Sequence, residues 1–180
     1  MLNLRNHRAL LSAVGAFVVA GAGSGIAWSQ AERTSDPADV LLDAVEHSES
    51  TMRDYIDEIG DRFDEIEATA DAGQQEELAT ALMTDVPDLA EEARSGVLSA
   101  KEDARAVTLP EDSELDQARD AYVAHIDAWI AEYEEAMVAP AGVVEIEPTV
   151  NRTFDKAVAA FDRTQLDADQ EERVEQLLAD

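Results

Sequence analysis

Arg53-Asp-Tyr-Ile-Asp-Glu-Ile-Gly-Asp-Arg-Phe-Asp-Glu-Ile-Glu-Ala-Thr-Ala-Asp71 holds eight carboxylates in nineteen residues. Whether they converge or spread decides the fold. On a helix turning about 100° per residue, Asp54, Asp57, Glu58, Asp61, Asp64 and Glu65 share a sector roughly 120° wide. Tyr55, Ile56, Ile59, Phe63 and Ile66 fall opposite. A calcium loop would instead present oxygens from a turn of the Asp-x-Asp-x-Asp-Gly kind, and the chain has none. The stretch reads as the solvated face of an amphipathic helix. Asp54/Glu58, Asp57/Asp61 and Asp61/Glu65 are like charges four apart, each costing ~0.2–0.5 kcal/mol at low salt, and Glu58/Arg62 offsets one of them. Cations should therefore stabilise this helix, by binding or by screening.

The apolar rhythm continues in both directions. Upstream it runs through Leu41, Val45 and Met52, and Thr34-Ser-Asp-Pro37 supplies a start, with Ser35 or Asp36 as cap and Pro37 in the first turn. Ala72-Gly73 is expected to break the helix. A second follows with Leu78, Leu82, Leu89, Ala93, Val97, Ala100 and Ala104; Pro87 either kinks it or marks a stop and a restart capped by Asp85. After Leu109-Pro110, Asp112 or Ser113 caps a third helix carrying Leu115, Ala118, Tyr122, Ile126, Trp129, Tyr133 and Met137. Ala139 to Pro148 reads as a loop. A fourth helix starts near Thr149 with Val150, Phe154, Val158 and Phe161, and Asp167-Ala-Asp-Gln170 looks like a capping box opening a last short one with Val174, Leu177 and Leu178. These elements predict an all-α, antiparallel four-helix bundle with a split fourth helix over residues 32–180.

The 180 residues hold 41 acids against 13 bases and no cysteine. No acid precedes Glu32, so residues 32–180 carry all 41 acids against 11 bases, a net charge of −30. Such a surface repels phosphate backbones and anionic headgroups and attracts cations or basic proteins. Absent cysteine excludes disulfides, thiolate zinc sites, iron–sulfur clusters and cysteine nucleophiles. Only Lys101 and Lys156 are lysines; the acid-rich, lysine-poor balance suits a high-salt organism or a GC-rich genome.

Met1 to Arg8 is basic, and Ala9 to Trp28 runs twenty residues without a charge before Ser29-Gln30-Ala31. This is the pattern of a secretory signal cleaved after Ala31. The competing reading is an uncleaved membrane anchor over residues 9–28. In both, Arg5 and Arg8 stay inside and Glu32 onward lies outside the cytoplasm.

Sharper chemistries find few matching residues. A carboxylate-bridged metal pair uses Glu-x-x-His, but Ala44 precedes His47 and Tyr122 precedes His125 at that spacing. Asp43 and His47, four apart, could share a metal ion. Tyr122, His125, Trp129 and Tyr133 line one side of the third helix, as core or as the wall of a pocket for a small molecule, haem or metal. Asn151-Arg-Thr153 is a glycosylation sequon. No nucleophile elbow, phosphate loop or His-Glu-x-x-His occurs, and no cofactor is expected. An N-terminal apolar segment followed by an extracytoplasmic helical bundle resembles the sensor half of bacterial chemoreceptors, whose second membrane helix and signalling rod have no counterpart in these residues. Leu166-Asp-Ala-Asp-Gln170 resembles the Leu-Thr-x-x-Gln motif of periplasmic stress chaperones but departs from it at Thr, and no residue role carries over. The expectation is a non-enzymatic, exported interaction module at the cell envelope; the alternative is a small-molecule, haem or metal carrier.

Overall fold

The computed structural model describes residues 36–142 and 148–178. The proposed signal or anchor segment lies outside them, as does the stretch 143–147. Five α-helices pack against one another: α1 (Pro37–Ala68), α2 (Ala72–Ala106), α3 (Glu114–Val138), α4 (Pro148–Phe161) and α5 (Ala168–Leu177), with a 3-10 turn at Pro140–Gly142. The described residues contain no strand, and none of their helices is long and apolar enough to cross a membrane.

Local chemistry sets the helix ends. Asp36, with Pro37 beside it, accepts from the Ala38 amide at 2.9 Å and opens α1. Asp71 caps α2 through the Gln74 amide at 2.9 Å, so the break falls at residues 69–71 and Gly73 lies inside the next first turn. Thr69 ends α1 because its backbone turns extended, and the Gln75 side-chain amide donates to the Ile66 and Thr69 carbonyls at 3.2 and 2.6 Å. Ser113, not Asp112, caps α3 through the Asp116 amide; Asp112 makes the turn itself, at φ 59°. The expected capping box is present at α5: Asp167 accepts from the Gln170 amide at 2.9 Å and Gln170 Oε1 accepts from the Asp167 amide at 3.2 Å. Pro87 sits within a continuous α2, and Asp85 is engaged by Arg62 at 2.6 Å across the helix pair. That contact, with the approach of Thr51 to Gly96, makes α1 and α2 antiparallel. Lys101–Asp127 and Arg94–Glu134 do the same for α2 and α3.

The buried faces match the apolar rhythm. Leu41, Val45, Met52, Leu82, Val97, Ile126 and Phe161 are buried, as are Ala90, Ala93, Ala100 and Ala104, which let α2 approach its neighbours closely. All six acids of the α1 row, from Asp54 to Glu65, are exposed. They form a face and not a pocket, so the melting midpoint should climb with sodium chloride, and millimolar calcium should do no more than matched magnesium. The two short helices take different partners. Thr153 and Phe161 on α4 meet His125 and Tyr122 on α3 in antiparallel sense. Beyond residues 162–167 the chain reverses: Gln170 reaches Asp39 at 3.0 Å and Arg173 reaches Asp43 and Glu46 at 2.8 and 2.9 Å, so α5 follows α1.

At Gly96, α2 comes close against Thr51 of α1. A Cβ there would lie 2.8 Å from Thr51 Cγ2 and 3.0 Å from Thr51 Oγ1. Any other Thr51 rotamer still leaves one heavy atom against the new methyl and moves the hydroxyl from its bond to the His47 carbonyl at 2.9 Å, so Gly96→Ala should be net destabilising by about 1 kcal/mol despite its better helix propensity. In a Thr51→Ala background the same change should become stabilising by about 0.5–1 kcal/mol. Urea unfolding of the four chains reads that reversal of sign.

Candidate functional site

The apolar stripe of α1 skips from Val45 to Met52. The missing turn is filled by Ser48 and Glu49, which carry polar atoms into the space between α1 and α3. Ser48 is fully buried, and the Glu49 side chain is 13% exposed. From α3, Tyr122 donates its hydroxyl to Glu49 Oε1 at 2.8 Å, with the Val45 carbonyl at 3.3 Å. His125 Nε2 lies 4.0 Å from the same carboxyl oxygen, while its Nδ1 is 3.3 Å from Thr153 Oγ1 on α4. The Thr153 hydroxyl also bonds the Thr149 and Val150 carbonyls. The polar side chains thus run from α1 through α3 to α4.

Aromatic rings enclose it. Trp129 stacks on Tyr133 at 5.5 Å, Tyr55 meets Tyr133 edge-on at 5.0 Å, and Phe154 and Phe161 flank His125 and Tyr122. Among the described residues Ser48 Oγ and the Tyr133 hydroxyl find no hydrogen-bond partner, although both are buried. Unmet buried hydroxyls of this kind cost about 1–3 kcal/mol each.

Burial controls the protonation. It pushes Glu49 up to about 7, against the opposing pull of the Tyr122 hydrogen bond and the Arg53 charge. It presses His125 down to about 4, a backbone bond to Val150 acting the other way. Tyr122 and Tyr133 are both raised, chiefly by burial, Tyr122 further by the Glu49 charge with the Ser48 hydroxyl opposing and Tyr133 further by Tyr55 and then Glu49, and burial takes Tyr55 up to about 12. Near pH 6, therefore, acid and imidazole are both neutral, and the 4.0 Å contact is not an ion pair. The arrangement can take up or release one proton near neutrality.

Of the residues singled out by sequence, Tyr122, His125, Trp129 and Tyr133 come together here, all buried. Asp43 is held by Arg173, and His47 lines an open groove with Asp88, Glu91, Glu92, Ser95, Gly96 and Ser99. Among the described residues no three His, Asp or Glu side chains gather so as to hold a metal ion. Asn151 is exposed in the first turn of α4, and the hydroxyl of its sequon partner Thr153 is occupied within that turn. Sequence reasoning missed Glu49. The signal was available, since Glu49 lies four residues after Val45 and three before Met52, a stripe position held by a carboxyl. No known protein family, no curated protein and no solved structure matches the chain.

Proposed function

We propose that this is an exported, non-enzymatic interaction module of the cell envelope, built as a helical bundle in which α1, α2 and α3 run antiparallel in turn, α4 packs on α3 and α5 on α1 rather than as two halves of one fourth helix. Its partners are basic proteins or cations. The supporting observation is how charge is distributed. Arg62, Arg94, Lys101, Arg119 and Arg173 are all engaged by acids. The exposed row from Asp54 to Glu65 and the groove acids Asp88 and Glu92 remain as a negative exterior. The residues whose protonation is most altered lie in the core, as His125, or at its rim, as Glu49, rather than in an open cleft. A titration with an arginine-rich helical peptide should show binding at low salt that weakens steeply by about 0.5 M sodium chloride. Asp88→Lys with Glu92→Lys should weaken it further. Indifference to both salt and charge reversal would remove the reading. Fractionation of cells carrying a C-terminal reporter tests export directly.

The carrier reading is favoured by one observation, the two unpartnered hydroxyls of Ser48 and Tyr133 inside an aromatic shell. An absorption spectrum and metal analysis of native protein decide it: a bare spectrum without metal removes the haem and metal forms.

A further inference from the structure

Glu49 stands at the rim of the core, within reach of two alternative seats. Inward, it accepts the Tyr122 hydroxyl and joins α1 to α3. Outward, Arg53 is exposed one turn further along the same helix, and its charge already acts on the Glu49 carboxyl. An acid four residues before a base is the favourable order for a pair on a helix surface.

We propose that Glu49 is a proton-operated latch: protonated, it lies inward on Tyr122 and clamps α1 to α3; ionised, it turns outward to Arg53 and frees the Tyr122 hydroxyl. Glu49 leaves water only as a neutral acid at low cost, whereas an ionised carboxylate at a 13% exposed position is drawn towards solvent and a cation. When it leaves, Tyr122 keeps the Val45 carbonyl at 3.3 Å and the neighbouring Ser48 hydroxyl, and the buried Tyr133 hydroxyl still lacks a partner. Burial places the change near pH 7.

Among the groups around it, Glu49 is the carboxyl that burial moves towards neutrality, while His47 of α1 lines the groove over α2 instead. On α1 itself, Glu46 is held by Arg173 of α5. From α3 come Tyr122 and Tyr133, both raised, and His125, lowered to about 4 and so neutral throughout. Glu132 of α3 acts on Tyr55. From α2, Lys101 is held by Asp127. From α4, Thr153 reaches the cluster through His125, and Arg152 and Lys156 are exposed.

The test is amide exchange of the full chain from about pH 6 to 8, corrected for intrinsic rates, together with carboxyl-carbon NMR of glutamate. Protection of the Val45, Tyr122 and Val123 amides should fall about 10-fold with one midpoint near 7, matching the Glu49 carboxyl titration. Glu49→Gln should abolish the step. Arg53→Gln should move the midpoint up by about half a pH unit, and Arg53→Lys should restore it. Retention of the step in Glu49→Gln, or an unmoved midpoint in Arg53→Gln, overturns the latch. If Glu49→Gln does not fold, the Arg53 variants decide alone. A Glu49 carboxyl that titrates while the Tyr122 amide stays equally protected also overturns it.

Discussion

At pH 8.5, Glu49→Gln should unfold at a higher urea concentration than the parent chain, with a stability gain of about 3 kcal/mol, shrinking to less than about 1 kcal/mol at pH 4.5. The sign follows from linkage. Burial raises the carboxyl from 4.5 to about 7, so the folded chain binds this proton more tightly than the unfolded one. The stability it contributes is complete below pH 4.5 and is lost as pH rises through 7. Glutamine keeps an oxygen for the Tyr122 hydroxyl and never ionises, so it escapes the loss. Most buried polar-to-polar exchanges cost stability; a gain confined to alkaline pH requires that the exchange remove a charge the fold accommodates poorly. If glutamine were destabilising at pH 8.5, the ionised carboxylate would have to be well accommodated in the fold, and burial could not be the dominant influence on it.

That prediction rests on a residue the sequence displays only by implication. Faces were legible because helical periodicity is local: the acids from Asp54 to Glu65 and the stripe through Leu41, Val45 and Met52 can be sorted by angle alone, and both sorted correctly. Caps were legible for the same reason: Asp167 was named outright, and at the two earlier starts the pattern narrowed the cap to Ser35 or Asp36 and to Asp112 or Ser113, of which Asp36 and Ser113 cap. Asp71 was not, because Gly73 looked like the stronger break and a glycine in a first turn is tolerated when a carboxylate caps the amide after it. The aromatic side of α3 is legible as Tyr122, His125, Trp129 and Tyr133, which share one helical face. What those side chains meet is not, since Glu49 arrives from another helix, 73 residues away in the chain. No periodicity within α3 encodes that partner. The direction of α5 escapes likewise: its anchors Asp39, Asp43 and Glu46 are surface acids of α1 that look like any others until Gln170 and Arg173 reach them.

His125→Phe should shift stability on the other side of neutrality. Relative to the parent chain its stability should rise by about 3 kcal/mol between pH 6.5 and pH 4, whatever its offset at pH 7. The folded imidazole is lowered from 6.5 to about 4, so the unfolded chain binds this proton and the folded one refuses it. The stability from the neutral ring is complete above pH 6.5 and is lost as pH falls through 4. Thr153 keeps its bonds to Thr149 and Val150 when the ring nitrogen is gone, and Phe154 and Tyr122 already offer aromatic neighbours. Between pH 4.5 and 6.5 the Glu49 and His125 slopes oppose one another in the parent chain and largely cancel. A pH profile of the parent alone therefore says nothing about the pair, because one proton shared by a neutral acid and a neutral ring counts the same as a carboxylate beside an imidazolium. The variants separate the two arrangements. With both groups neutral, glutamine at 49 gains towards alkali and phenylalanine at 125 gains towards acid; were the proton on His125, 4.0 Å from an ionised Glu49, both signs would invert.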